Sequence, residues 1–300
     1  AWDYLLAILE GKQKCEETEY AKPMKQAAKR WAAYSQAKRD LLAKLVRFEL
    51  TPKQVKRIAD DDERAEAGIT ATTEELTDNP YLICEMDQGG PDRDVVSLEI
   101  IDRGMRPEGD AALYLPKDET IPQDDPRRVR GCAVAVLKAA AAEGDTLLPL
   151  GETLNRIKTQ FPERRACLPD RELVVGQSDF YEEALTFRQD AEPPTLALRI
   201  LSELEREVGS RLKRRLKRKN DPPPSDWSWE ELLKKEFAKE GSSKLPPEVE
   251  ERAREEKAKA LKVLYESRFS VLTGRAGTGK TSVLNVFLKG LNELEGQQHV

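Results

Sequence analysis

Eight consecutive residues near the end of this 300-residue chain have the types and spacing to hold phosphate: Gly274, Arg275, Ala276, Gly277, Thr278, Gly279, Lys280 and Thr281. They satisfy the pattern G-x-x-x-x-G-K-S/T without a departure. The glycines let backbone N–H groups curl around an anion with no Cβ in the way. The Lys280 ammonium would lie against the β- and γ-phosphates, which makes it the candidate catalytic residue, and the Thr281 hydroxyl would ligate Mg²⁺. Ser282 extends the set of amides at the mouth of the following helix. ATP and Mg²⁺ are the ligands this chemistry implies.

Such a loop has to be held between a strand and a helix. Residues 269–273 are short, apolar and β-rich, and are expected to form a buried parallel strand. After the loop, Val283, Leu284, Phe287, Leu288 and Leu291 predict the buried face of a helix. An acidic strand to complete the Mg²⁺ site and an arginine finger are needed as well. Neither is visible up to Val300, and Glu293 and Glu295 lie at the far end of the helix. The reading is therefore the start of an α/β P-loop domain, cut from a longer chain and unable to hydrolyse ATP by itself.

Upstream, the pattern is mostly helical. A short apolar helix fits residues 2–10, and a long amphipathic helix fits residues 22–47, with Met24, Ala28, Trp31, Leu42 and Leu45 near helical spacing. Thr51-Pro52 is a helix start with Val55 and Ile58 inward, and Thr72 to Glu75 has capping-box spacing. Short helices joined by tight turns are thus expected from about 50 to 85, in the manner of helix–hairpin–helix modules. Val95 to Ile101 is open between strand and helix. Asp125-Pro126 opens a helix bearing Val129, Ala133, Val136, Leu137 and Ala140 and closed by Gly144, and a shorter helix fits 151–160. Residues 195–219 give a further helix, with Leu201, Leu204, Val208, Leu212 and Leu216 at three- and four-residue steps. A Pro-rich linker follows at 221–225, then helices over 229–239 and from about 246 to 267. The implied organisation is N-terminal helices at 1–50, a helical module at 51–165, a connector at 166–245 and the P-loop segment at 246–300.

Composition sets limits. A hydrophobic fraction of 39% against 35% charged residues and a mean hydropathy of −0.66 suit a helix-rich chain with much solvated surface. No apolar run approaches the roughly 18 residues of a membrane span. Residues 1–4 carry no basic stretch before an apolar core, so they are not a signal peptide. Four scattered cysteines (Cys15, Cys84, Cys132, Cys167) and one histidine, His299, exclude zinc-finger spacing and point to a reducing cytoplasm. A net charge of −5 means that any nucleic-acid contact must come from local basic patches.

Three segments together resemble a known family. Val271 through Thr281 looks like motif I of superfamily 1 DNA helicases, particularly the RecD-like group. Asn79-Pro80-Tyr81 with Leu82-Ile83 resembles the segment that closes a helical hairpin module in the long RecD-like helicases. Arg128, Arg130 and then Gly144-Asp145-Thr146-Leu147-Leu148-Pro149 resemble that family's Arg-containing helix and its Gly-His-Thr-x-Leu-Pro turn, with Asp145 in place of His. The resemblance covers residues 50–150 and 255–300. It implies an ATP-dependent helicase moving 5′ to 3′ on single-stranded DNA. The hairpin turn, usually Gly-Ile-Gly-like, is here Gln88-Gly89-Gly90-Pro91, which counts against DNA binding there. The family's adenine-reading Gln aligns with Lys257, a donor-only side chain that would discriminate poorly, accepting GTP within roughly tenfold of ATP.

Arg211, Lys213, Arg214, Arg215, Lys217 and Arg218 could track DNA phosphates, although a helix end also favours basic residues, and Glu203, Glu205 and Glu207 precede them. Trp227 and Trp229 could stack on bases, or pack on a neighbouring helix. Two other functions stand beside the helicase: a different ATPase such as a AAA-type regulator, and a helical docking scaffold with a vestigial motor.

Overall fold

The computed structural model describes residues 2–91, 94–109, 121–162, 166–217, 220, 222–237 and 246–298, and these are mostly helical. The chain divides into two compact units, Ala1–Ser202 and Glu203–Val300. No helix among the described residues is long and apolar enough to cross a membrane.

The first unit opens with α1 (Trp2–Leu9), α2 (Thr18–Ala33) and α3 (Gln36–Leu45). The single helix expected over 22–47 is thus two. The break falls at Tyr34-Ser35, where the Ser35 hydroxyl accepts from the Lys38 amide and caps a new helix. Four short helices follow: α4 (Pro52–Ala59), α5 (Asp61–Glu66), α6 (Thr73–Asp78) and α7 (Tyr81–Met86). Both anticipated starts are reciprocal capping boxes, Thr51 with Gln54 and Thr72 with Glu75. Ile58 is buried and Val55 packs on the core beside it.

Of the Val95 to Ile101 stretch, the second half is helix: α8 runs Leu98–Met105, with Ser97 as its cap. Then come α9 (Pro126–Glu143), β1 (Leu148–Pro149), α10 (Leu150–Thr159), α11 (Arg171–Gly176), α12 (Ser178–Glu182), β2 (Leu185–Arg188) and β3 (Thr195–Leu198). The strands form one antiparallel sheet in the order β1-β3-β2, with Leu148 opposite Leu196 and Leu185 opposite Leu198. The helix expected from 195 therefore begins only at Arg199, as α13 (Arg199–Leu216). Residues 195–198 are drawn into the sheet because their backbone finds partners on both sides, a long-range gain that helical periodicity does not register.

One core joins Leu41 to Leu198, so residues after 166 supply core side chains such as Cys167, Tyr181 and Leu196. At its centre lies α9, buried around most of its circumference, with Val129, Cys132, Ala133, Val136 and Ala140 all nearly inaccessible.

The second unit contains α14 (Trp229–Phe237), α15 (Pro247–Glu266) and α16 (Lys280–Gln298) around a smaller core of Trp229, Leu232, Leu233, Leu261, Val283, Val286 and Leu294. The strand expected at 269–273 is not formed, and Val271 is 71% exposed. A parallel strand needs neighbours to receive its hydrogen bonds, and no other strand lies in this unit among the described residues. The buried face of α16 also differs from expectation. Val283, Val286, Gly290 and Leu294 are inside, Phe287 is half-buried, and Leu284 and Leu288 are exposed.

Candidate phosphate-binding site

The loop at 274–279 is set by packing on either side of it. Trp229 stacks on Phe287 with ring centroids 5.7 Å apart and lies 5.8 Å from Tyr265, tying α14 to α15 and α16. Gly290 makes this possible, since a Cβ there would stand 2.4 Å from the Trp229 ring. Trp227 packs edge-on against Trp229. Both tryptophans are therefore core residues, and Trp229 is buried.

Within the loop, Gly277 and Gly279 each adopt φ of 80°, a left-handed conformation that side-chain-bearing residues resist. Thr278 folds back, its hydroxyl donating to the Arg275 carbonyl at 2.9 Å. Helix α16 then starts at Lys280, and the Val283 amide donates to the Gly279 carbonyl. The amides of Lys280, Thr281 and Ser282 consequently have no acceptor inside the helix and carry the positive end of its dipole. The Lys280 ammonium donates to the carbonyls of Gly274 and Arg275, both at 2.8 Å. A cation, two left-handed glycines and three helix-end amides converge on one exposed loop, which is the donor set a polyphosphate requires. Arg275, Ala276 and Thr281 are exposed, with the Thr281 hydroxyl on the first turn beside Lys280.

Lys257 comes to this loop from α15. Its ammonium is 3.6 Å from where a Cβ on Gly279 would stand, and 4.6 Å above the centroid of the Phe237 ring. Phe237 carried no sequence signal for such a role, because cation–π contact depends on where α14 ends.

The basic candidates are on or just beyond α13. Arg211 pairs with Glu207 at 2.5 Å, and Arg211, Arg214 and Arg215 border an open groove with Tyr265, Arg268 and Phe287. Lys213 and Lys217 are exposed, and Arg218 lies outside the described residues. Among the described residues, no group of three or more His, Cys, Asp or Glu could hold a metal ion.

The upstream segments meet inside unit 1. The Tyr81 hydroxyl donates to Asp102 at 2.8 Å, and the Arg128 guanidinium donates to the same carboxylate at 2.6 Å. Burial, reinforced by the Asp102 charge, holds the Tyr81 phenol well above its usual range. Burial works against the Arg128 charge, but Asp102 outweighs it and the guanidinium is held more firmly protonated. Arg130 pairs with Glu85 and Glu183 and lies over the Phe180 ring at 4.1 Å. Burial raises the Glu85 carboxyl against the pull of Arg130. Neither Arg128 nor Arg130 is more than 1% exposed, so both act on the fold.

The turn at 88–91 has exposed ends and half-buried glycines, but its amides are taken. The Gly89 amide donates to Asp87 and the Gly90 amide to Asp94, while Arg57 bridges the same two carboxylates. Amides already given to carboxylates are poor hosts for a phosphate. This Arg57 network was not anticipated, because its members lie far apart in the chain. Gly144 caps α9 in a left-handed conformation, and the expected turn after it leads into β1.

Set against known proteins, the chain matches no family model and no curated sequence.

Proposed function

We propose that the second unit carries the nucleotide-binding element of an ATP-driven motor, and that the motor is a DNA helicase of the RecD-like kind acting 5′ to 3′ on single strands. The observation that carries the nucleotide half is the loop itself, which brings Lys280 and left-handed Gly277 and Gly279 together at the start of α16. In this reading Gly274, Arg275, Ala276, Gly277, Thr278 and Gly279 wrap the phosphates with backbone donors. Lys280 exchanges its two carbonyl acceptors for phosphate oxygens, and Thr281 and Ser282 complete the helix mouth. Mg²⁺, when bound, would neutralise charge on the phosphates from the Thr281 side. Lys257 adds a second cation beside Gly279. The helicase half is supported by the order of motif I after Asn79-Pro80-Tyr81 and Gly144 to Pro149.

Titration of the chain with a fluorescent ATP analogue and Mg²⁺ tests the first half. Saturable binding is expected, weakened at least roughly tenfold by Lys280→Ala, since a charge-assisted phosphate contact is removed. Equal binding by the variant, or no binding by the natural sequence, would overturn it. The second half is tested in the protein that carries this chain, by single-stranded-DNA stimulation of ATP hydrolysis and by unwinding of 5′-tailed against 3′-tailed duplexes. An ATPase rate indifferent to DNA would move the assignment to a regulator of the AAA type.

A further inference from the structure

Lys257 joins two features of the second unit that lie far apart in the chain. Its ammonium is 3.6 Å from the position that a Cβ on Gly279 would take, so it borders the phosphate-binding loop, and it stands 4.6 Å from the centroid of the Phe237 ring. Phe237 ends α14, is half-buried and packs against the core around Trp229 and Leu233. The ring is thereby held in place, with one of its faces given to a cation. Other aromatics of this unit are used differently, since Trp227, Tyr265 and Phe287 all pack against Trp229. A ring face occupied by an ammonium is one that a ligand can take, because lysine's flexible stem lets the charge move without disturbing the backbone.

We propose that Phe237 is the platform on which the base of a nucleoside triphosphate stacks, an inference that rests on the phosphate-binding reading of residues 274–281. The loop takes the phosphates, and the base at the other end of the same molecule needs an aromatic surface at a nucleoside's length from them. Loop to ammonium and ammonium to ring are both short contacts, so the ring lies about as far from the loop as a base lies, across its ribose, from its phosphates. Binding then exchanges partners in two places. The base displaces the ammonium from the ring, and stacking on an aromatic face outweighs the contact of that face with a hydrated lysine. The displaced ammonium stays beside Gly279, where phosphate oxygens give it an anion to meet. One side chain thus vacates the base site and joins the phosphate site in a single motion. Stacking is indifferent to the groups that edge the base, since every base has a π-face. The site therefore accepts adenine and guanine alike, and the indifference comes from Phe237 rather than from a donor-only Lys257 at the base edge.

Calorimetric titration of the full chain with Mg²⁺ and, in turn, ATP, GTP and inorganic tripolyphosphate provides the test. ATP and GTP are expected to bind within a few-fold of each other, and roughly tenfold more tightly than tripolyphosphate, the gain expected of one stacked base. Phe237→Leu keeps an apolar side chain against the core and removes the π-face. It is expected to lose roughly tenfold for both nucleotides and nothing for tripolyphosphate, whose unchanged affinity shows that the loop is intact. Phe237→Tyr restores the face and should bind all three like the natural sequence. Equal affinities of the natural chain for ATP and tripolyphosphate overturn the platform while leaving the phosphate-binding loop standing, as does a Phe237→Leu variant that binds ATP as well as the natural chain. A Phe237→Leu variant that weakens all three ligands alike also overturns it, and makes Phe237 a support of the loop. Binding of neither nucleotide nor tripolyphosphate overturns the reading of the loop itself, and the base platform with it.

Discussion

In the first unit, Arg57, Arg128 and Arg130 are sealed inside and answered by carboxylates from distant parts of the chain. In the second, Lys280 rests on the carbonyls of its own loop and Lys257 on an aromatic face. The contrast separates two uses of a cation. A guanidinium matched to buried carboxylates is fully committed, and its partner cannot lose it without being stranded in low dielectric. An ammonium on neutral dipoles keeps its net charge to offer, so an incoming anion gains more than it displaces. The segments that resemble helicase motifs fall on both sides of this line: Tyr81 and Arg128 are tied into the core, and the loop at 274–281 is the one proposed above to take a ligand.

Breaking the first unit's side of the contrast should give the largest effect. Arg128→Ala takes from the buried Asp102 the guanidinium that donates to both its oxygens, a loss of about 3–5 kcal/mol. Urea titration should show an early transition, and hydrogen exchange should place it in α7, α8 and α9. A shift below 1 kcal/mol would mean that Asp102 simply takes up a proton. Gly290→Ala strikes the second unit, where the added methyl meets the Trp229 ring. Overpacking of this kind costs about 1–3 kcal/mol, read as lost Trp229 fluorescence at lower temperature. A more stable variant would show that helix propensity outweighs the clash.

The next effect is one of acidity. The Gly90 amide, and then Arg57, hold the Asp94 carboxyl below the usual carboxylate range. A group depressed in the folded state stabilises above its unfolded pKa, and that stability is lost as pH falls through the folded value. The urea midpoint of unit 1 should therefore fall more steeply on acidification in the natural chain than in Asp94→Asn. Parallel curves would remove Asp94 from the account. The smallest effect belongs to Lys257→Gln. With its ammonium beside Gly279 rather than out along α15, the substitution should weaken ATP and GTP alike by a few-fold, about 1 kcal/mol. A changed ATP-to-GTP ratio would return Lys257 to the base.

Local chemistry was legible in the sequence. Thr51, Thr72 and Asp125 start helices with side-chain oxygens a few residues from the amides they accept, and Gly274 to Thr281 closes on itself. What was not legible depends on partners far along the chain. Thr195 to Leu198 looked helical because its strand partners lie at Leu148 and Leu185. Residues 269–273 looked like a strand because β-propensity says nothing about whether a neighbour exists. The row from Leu204 to Leu216 announced an amphipathic helix, but periodicity does not say what covers it. The Arg57, Arg128 and Arg130 pairs were invisible for the same reason, since only folding brings Asp87, Asp102 and Glu85 within reach.

Arg128 and Arg130 are two positions apart on α9, so they leave the helix axis about 200° from one another. One is gripped by Asp102 and the other by Glu85 and Glu183, on nearly opposite sides. Apolar contacts alone would let a helix rich in alanine and valine turn about its axis at little cost, because small side chains on every face fill space almost equally well. The two guanidiniums remove that freedom. Turning α9 by one residue would swing each cation away from its acid by about 100° and push Val129 towards a carboxylate. They work as a key and keyway, setting the angle at which the unit's central helix is seated, and with it the direction in which Gly144 releases the chain towards β1.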